Sequence, residues 1–284
     1  MKNWKLFGVA LAACAMGAFT SCSDDKNDSP EESITIKDEN GNIQLTIKNP
    51  EKWVAAAKSV VADLHEDATE ELQEWMTEES IKIKTQAASV TVNEMIDDCI
   101  DEVDDVATEK IPSPLAILTT GDDCVANLGS VRNVLLGSLD GTVNEASIMA
   151  LTASKNPQLA QKISTELADA VAKIQAIPQP LKQNANSTEA KAAIAACKTL
   201  QTTLSRELQP MFRQLQGDDA ALKAIVTQYA DGVVTPSVND AKTAADELLI
   251  AVNTLPSQPT EQHIQSVIAA YIKARAALDL CAAF

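Results

Sequence analysis

Apolar positions change their period once along this chain, at Asn49 and Pro50. Before that point Ser33-Ile34-Thr35-Ile36-Lys37 and Ile43-Gln44-Leu45-Thr46-Ile47 alternate apolar and polar residues, with Asn40-Gly41 between them. This pattern predicts a small β-hairpin over residues 33–48. After it the period is helical. Asn49 is a capping residue and Pro50 suits the first helical position. Trp53, Ala57, Val60, Leu64, Ala68, Leu72 and Trp75 then form one stripe at steps of three and four, which predicts a helix over 51–79. A second helix over 86–110 turns Ile96, Ile100, Val103 and Ala107 inward. The acids at 97, 98, 101, 102, 104 and 105 line its other face and read as solvated. No glycine turn interrupts them, and a helix cannot wrap calcium as a loop does.

Pro112 and Pro114 open a loop. Helices are then predicted over 122–136, 143–153, 157–177, 187–215, 219–233, 236–255 and 260–283, with no strand pattern after residue 48. A repeat runs through them. The helix end Leu167 to Ile177, followed by Pro178-Gln179-Pro180, resembles the helix end Ala245 to Leu255, followed by Pro256-Ser257-Gln258-Pro259. Each precedes another helix. One helical hairpin cannot bury its own apolar stripe, so duplicated hairpins imply two similar bundles. The expected fold is all-α: two four-helix bundles related by an internal repeat, with a small N-terminal β-hairpin. One bundle takes residues 49–80 and 217–284, the other residues 81–216.

Composition agrees. Of 284 residues 45% are apolar but only nine are aromatic, so Ala, Leu, Ile and Val must build the core, as suits close-packed helices. The net charge of −17 argues against nucleic acid and anionic membrane surfaces as partners. Cys99, Cys124, Cys197 and Cys281 are widely spaced without any C-x-x-C, which is not a zinc pattern. They read as buried thiols, with one or two disulfides as the alternative.

Residues 1–21 are a different kind of segment. A basic start is followed by an apolar run from Leu6 to Phe19 and by small residues before Cys22. This resembles a bacterial lipoprotein signal peptide, cut before a cysteine that then carries lipid. The run is too short to span a bilayer as a permanent helix. Removing Lys2 and Lys5 takes the net charge from −17 to −19. Asp24 and Asp25 resemble the acidic tag of surface-displayed lipoproteins, and polar residues 22–32 read as a tether. The chain is therefore expected at an outer membrane, on its cell-surface or periplasmic side, anchored through Cys22.

Asn127-Leu128-Gly129-Ser130-Val131-Arg132-Asn133-Val134-Leu135-Leu136-Gly137, with Asn156-Pro157-Gln158-Leu159-Ala160, resembles imelysin-like proteins. Tyr229-Ala230-Asp231-Gly232-Val233-Val234-Thr235-Pro236 and Ala270-Tyr271-Ile272-Lys273-Ala274-Arg275 resemble the start of that family, yet lie at the C-terminal end. The order looks circularly permuted, with the old termini joined near residues 216–219. The resemblance implies two four-helix bundles, a ligand site between them, and a link to iron or haem uptake. A small ligand or a surface protein is the expected partner. The family's G-x-H-x-x-E motif occurs nowhere here, and its expected location, residues 30–45, reads as the hairpin. Tyr271 stands where the family's W-x-x-x-R has tryptophan, Arg275 matches its arginine, and Ala282 stands where a glutamate is expected. No metal site, no cofactor and no enzymatic activity are therefore expected.

The binding candidates are Arg275, Tyr271, Asn127, Arg132 and Asn133. Arg275 lies between Tyr271 and Leu278 on the apolar stripe of the last helix, so it must be paired if buried. It is either a salt bridge locking the bundles or a ligand-site arginine. The asparagines, poor helix formers, cap loops, bridge the bundles or bind. His65 fails both H-E-x-x-H and H-x-x-E, and His263 falls in a helix's first turn. The remaining alternative is a structural or protein-interaction lipoprotein that kept the scaffold and lost the site.

Overall fold

Two strands come first in the computed structural model, which describes residues 33–37, 43–114, 121–215 and 219–284. Strand β1 (Ser33–Lys37) pairs antiparallel with β2 (Ile43–Lys48), Ile34 opposite Ile47. Ile47 is buried and Ile34 packs on the helical core. The Asn40-Gly41 turn lies outside the described residues, as do the leader, Cys22, the tether and most of the segment read as the permutation joint.

Every later element among the described residues is helical. Asn49 caps α1 (Pro50–Glu74): its side chain accepts the Lys52 N–H, with Pro50 behind it in the first turn. The helix continues through a π segment, Trp75–Glu79, into α2 (Ser80–Thr85). Then come α3 (Ala88–Asp105) with a π segment Val106–Lys110, and α4 (Gly121–Leu136). Next are α5 (Ile148–Lys155), α6 (Pro157–Gln175) and the single turn α7 (Leu181–Asn184). Helix α8 (Thr188–Thr203) runs through Leu204–Leu208, another π segment, into α9 (Gln209–Arg213). Helix α10 (Asp219–Gln228) likewise runs through Tyr229–Val234 into α11 (Thr235–Asn253), and α12 (Glu261–Asp279) follows. Among the described residues no helix is long and apolar enough to cross a membrane.

The prolines explain a difference from the sequence pattern. Pro236 was expected to separate two helices, yet residues 219–253 form one continuous rod. A proline inside an α-helix lacks an N–H and clashes with the carbonyl four residues back. Here the preceding turn is widened: the Thr235 N–H reaches the Ala230 carbonyl, five residues back. Pro210 and Pro112 stand at the same offset from their own π segments, where Gln209 N–H bonds Leu204 and Ile111 N–H bonds Val106. At Pro236 and Pro210 the widened turn lets the chain carry a proline without ending the rod, whereas the helix stops at Pro112.

The two sequence repeats are two antiparallel hairpins, α6 against α8 and α11 against α12. Helix α1 packs on α11, and α4 lies between both sets, touching α3, α6 and α12. Helix α10 packs on α3, so the rod 219–253 contacts both halves of the chain. Trp75, fully buried, donates its indole N–H to the Thr235 hydroxyl at 2.9 Å, tying its π segment to the first residue of α11. The core is one continuous cluster built mainly of Leu, Ile, Val and Ala. Among the described residues Cys99, Cys124, Cys197 and Cys281 are buried and free. Glu102, expected on the solvated face of its helix, is instead buried and paired with Lys110. The acids therefore do not all share one face; the helix is covered on more sides than its Ile96 stripe alone.

Candidate functional site

Helix α4 carries polar residues on two of its faces. Asp123, Asn127 and Ser130 recur at steps of four and three, and this face meets α12. On α12 the steps of four are Tyr271, Arg275 and Asp279. The two stripes interlock. Arg275 Nε lies 3.0 Å from Asp123 Oδ1 and 3.6 Å from Asp279 Oδ2. Its Nη1 donates to the Tyr271 hydroxyl at 3.2 Å. Asn127 Nδ2 lies 3.3 Å from both the Asp279 backbone carbonyl and its Oδ1. The Ser130 hydroxyl accepts the Ala283 N–H at 2.8 Å, and Gly129 leaves room for Leu280: a Cβ there would stand 3.0 Å from that side chain.

This network is largely buried, and it holds two carboxylates for one guanidinium. Burial pushes the Asp279 carboxyl up to about 7; Asp123 adds to the rise, while Arg275, Lys110 and Asn127 oppose it. Burial also pushes the Tyr271 phenol up, against the pull of Arg275. Burial alone would lower Arg275, but Asp123, Tyr271 and Asp279 outweigh it and hold the guanidinium charged. The chemistry is that of a brace: opposite charges satisfied across a helix interface, with no nucleophile activated.

Arg132 and Asn133 lie on the other polar face of α4. They line a cleft of about 440 Å³ between α4 and the α11–α12 hairpin. Ser237, Asp240 and Thr243 line it from α11, and Lys273, Ala276 and Ala277 from α12. Asn133 is 3% exposed, and its Oδ1 accepts from Arg132 Nη2 at 3.1 Å. Arg132 Nε is buried and has no hydrogen-bond partner among the described residues. Gly137, at φ 64, ends α4 just beyond them, with its N–H on the Asn133 carbonyl. Gln228 donates to the Gly137 carbonyl at 2.9 Å across Gly232, where a Cβ would collide with it. The five candidates thus divide: Arg275, Tyr271 and Asn127 in the brace, Arg132 and Asn133 in the cleft. Asp123, Asp279 and Ser130 were not singled out in the sequence. Their signal was there: each stands three or four residues from a residue that was.

A family model for imelysin matches residues 24–208. The chain belongs to the imelysin family. A crystal structure of an imelysin peptidase from Bacteroides ovatus superposes with a TM-score of 0.78 at 29% identity, over 83% of this chain and 76% of that one. The Iron-regulated protein A of Synechococcus elongatus is 27% identical over 146 residues. That match takes in 45% of this chain and 41% of the relative, so the chain spans less than half of that protein's length.

A peptidase of this family implies a metal, and the histidines present do not suit one. His65 Nε2 lies 2.6 Å from Asp246 Oδ1, but the Lys242 ammonium sits 2.6 Å and 2.8 Å from the same carboxylate. A cation already occupies the donor that His65 would share. His263 closes a capping box with Thr260, its Nδ1 accepting the Thr260 N–H. Among the described residues no three His, Cys, Asp or Glu are grouped to hold a metal.

Proposed function

We propose that this imelysin-family chain is a lipid-anchored, ligand-binding protein of an outer membrane, linked to iron or haem acquisition and without peptidase activity. The cleft carries the reading. It is of ligand size, it is formed by helices from both halves of the chain, and a guanidinium lines it without a carboxylate partner among the described residues. The iron link rests on the name of the Iron-regulated protein A. Loss of the G-x-H-x-x-E motif and the occupied His65 pair argue against a metallopeptidase. The anchor rests on the leader ending at Cys22.

The scaffold reading goes with it. Two four-helix bundles sharing α4 as their contact would account for the paired hairpins and for the brace between α4 and α12. A permuted order, with the family's opening segment moved to residues 219–284, fits a family match that ends at residue 208. The well-filled Arg275 interface favours a second reading, an interaction protein that kept the scaffold alone.

The test is growth of the native host under iron limitation, without the protein and with wild type, Cys22→Ala or Ala276→Trp supplied. The account expects a growth defect restored only by wild type, with lipid labelling lost in Cys22→Ala. Full rescue by Ala276→Trp, which fills the cleft, would favour the interaction protein.

A further inference from the structure

We infer that the cleft selects a small organic oxyanion, a hydroxycarboxylate or its metal chelate, through Arg132. This deepens the ligand-binding reading and rests on it. Two arginines flank α4 and differ in what surrounds them. Arg275 has two carboxylates and a phenol around it. Arg132, on the opposite polar face of α4, has one recorded partner among the described residues, the neutral Asn133 amide oxygen. A guanidinium offers five N–H donors in a rigid fork that matches a carboxylate or phosphate bidentately. A partly buried one left with a neutral partner is costly unless an anion completes it.

The neighbours define the rest of the ligand. Asn133 is buried and holds Arg132 through Nη2, which orients the fork. Lys273, also in the cleft wall, is neutralised by Glu247, so it adds little charge of its own. Asp240 is the one carboxylate lining the cleft, and it is exposed. It would repel a bare oxyanion but accept a hydroxyl from a ligand that carries one. Leu139, Ala276, Ala277 and Leu280 supply apolar wall for a carbon skeleton. An oxyanion at one end, a donor group at the other and carbon between them describe a hydroxycarboxylate. A volume of about 440 Å³ admits such a molecule alone or bound to one metal ion.

The experiment is calorimetric titration of the purified chain with citrate, inorganic phosphate and glycerol at constant ionic strength. Wild type is compared with Arg132→Gln, Asp240→Asn and the exposed-site control Arg206→Gln. The expected result is citrate binding in wild type and in Arg206→Gln, no glycerol binding, and a roughly 10- to 100-fold loss in Arg132→Gln. Asp240→Asn should strengthen phosphate by removing a repulsion, and should favour citrate less, because the citrate hydroxyl loses a charged acceptor. Circular dichroism confirms that Arg132→Gln is folded. Equal citrate affinity in wild type and Arg132→Gln, or an equal loss in Arg206→Gln, would overturn the inference. No citrate or phosphate binding at millimolar concentration would overturn it too. In that case the broader reading survives if Ala276→Trp still fails to restore growth under iron limitation, and falls with it if Ala276→Trp restores growth.

Discussion

Arg275 on the last helix reaches Asp123 on helix 121–136, 3.0 Å from Nε to Oδ1, across an interface from which water is largely excluded. Asp279, one turn further along, takes the second contact to Nε and is itself held by Asn127. Two carboxylates on one guanidinium leave the cluster one negative charge in excess. That excess and burial together explain why Asp279 holds a proton near neutrality.

A pH dependence follows, with a definite sign. An unfolded aspartate ionises near its ordinary value of about 3.9. Folded Asp279 ionises at about 7. Between those values the folded state binds the extra proton, so this group's contribution to stability falls as pH rises from about 4 to about 7 and is level above that. Urea denaturation of Asp279→Asn and wild type at pH 5 and pH 8 should show the variant gaining relative to wild type at the higher pH. A constant difference across the range would mean that Asp279 titrates normally.

Gly137 should matter to the cleft through the backbone. Its φ of 64 ends the helix that carries Arg132 and Asn133, and a Cβ would stand 3.0 Å from Ser147 Cβ and 3.3 Å from the Ala146 carbonyl. Gly137→Ala should cost about 1–2 kcal/mol in chemical denaturation. Gly141, at φ 82 with nothing near its Cβ position, should cost about 1 kcal/mol or less and serves as the comparison. Equal losses at the two sites would show that the packing around Gly137 is loose.

Metal binding through histidine is not expected. Elemental analysis of chain purified without chelator should give substoichiometric zinc and iron, unchanged by His65→Ala. Stoichiometric metal abolished by that substitution would show that Lys242 yields its place on Asp246.

Much of this was legible in the residue pattern, and the misses have physical causes. The change of period at Asn49 located the start of the helical body, because a capping side chain and a first-turn proline act locally. Ile96, Ile100, Val103 and Ala107 are all buried as the stripe required. Val61 and Glu71, rather than Val60 and Leu72, are buried on the first helix, although Leu64, Ala68 and Trp75 of the same stripe are buried as expected. Continuity through Pro236 was not legible, since a proline inside a helical pattern ordinarily marks the end of a helix. At the site, periodicity put Arg275 on an apolar stripe but could not say which acids would meet it, since that depends on how two helices cross. The division between Asn127 and Arg132 could have been read: five residues turn an α-helix by roughly 140° past one full turn, so the two cannot share a face.

Arg275 braces two helices through two carboxylates, whereas Arg132 meets only the neutral Asn133 amide and is proposed to take a ligand's anion. The most direct test is the unfolding free energy of Arg275→Met and Arg132→Met beside wild type, in buffer without multivalent anions. Arg275→Met leaves Asp123 and Asp279 buried without their cation and should lose roughly 3–5 kcal/mol. Arg132→Met orphans no carboxylate, only the Asn133 amide oxygen, and should lose no more than about 1–2 kcal/mol. The reverse order, with Arg132→Met the damaging substitution and Arg275→Met tolerated, would contradict the account.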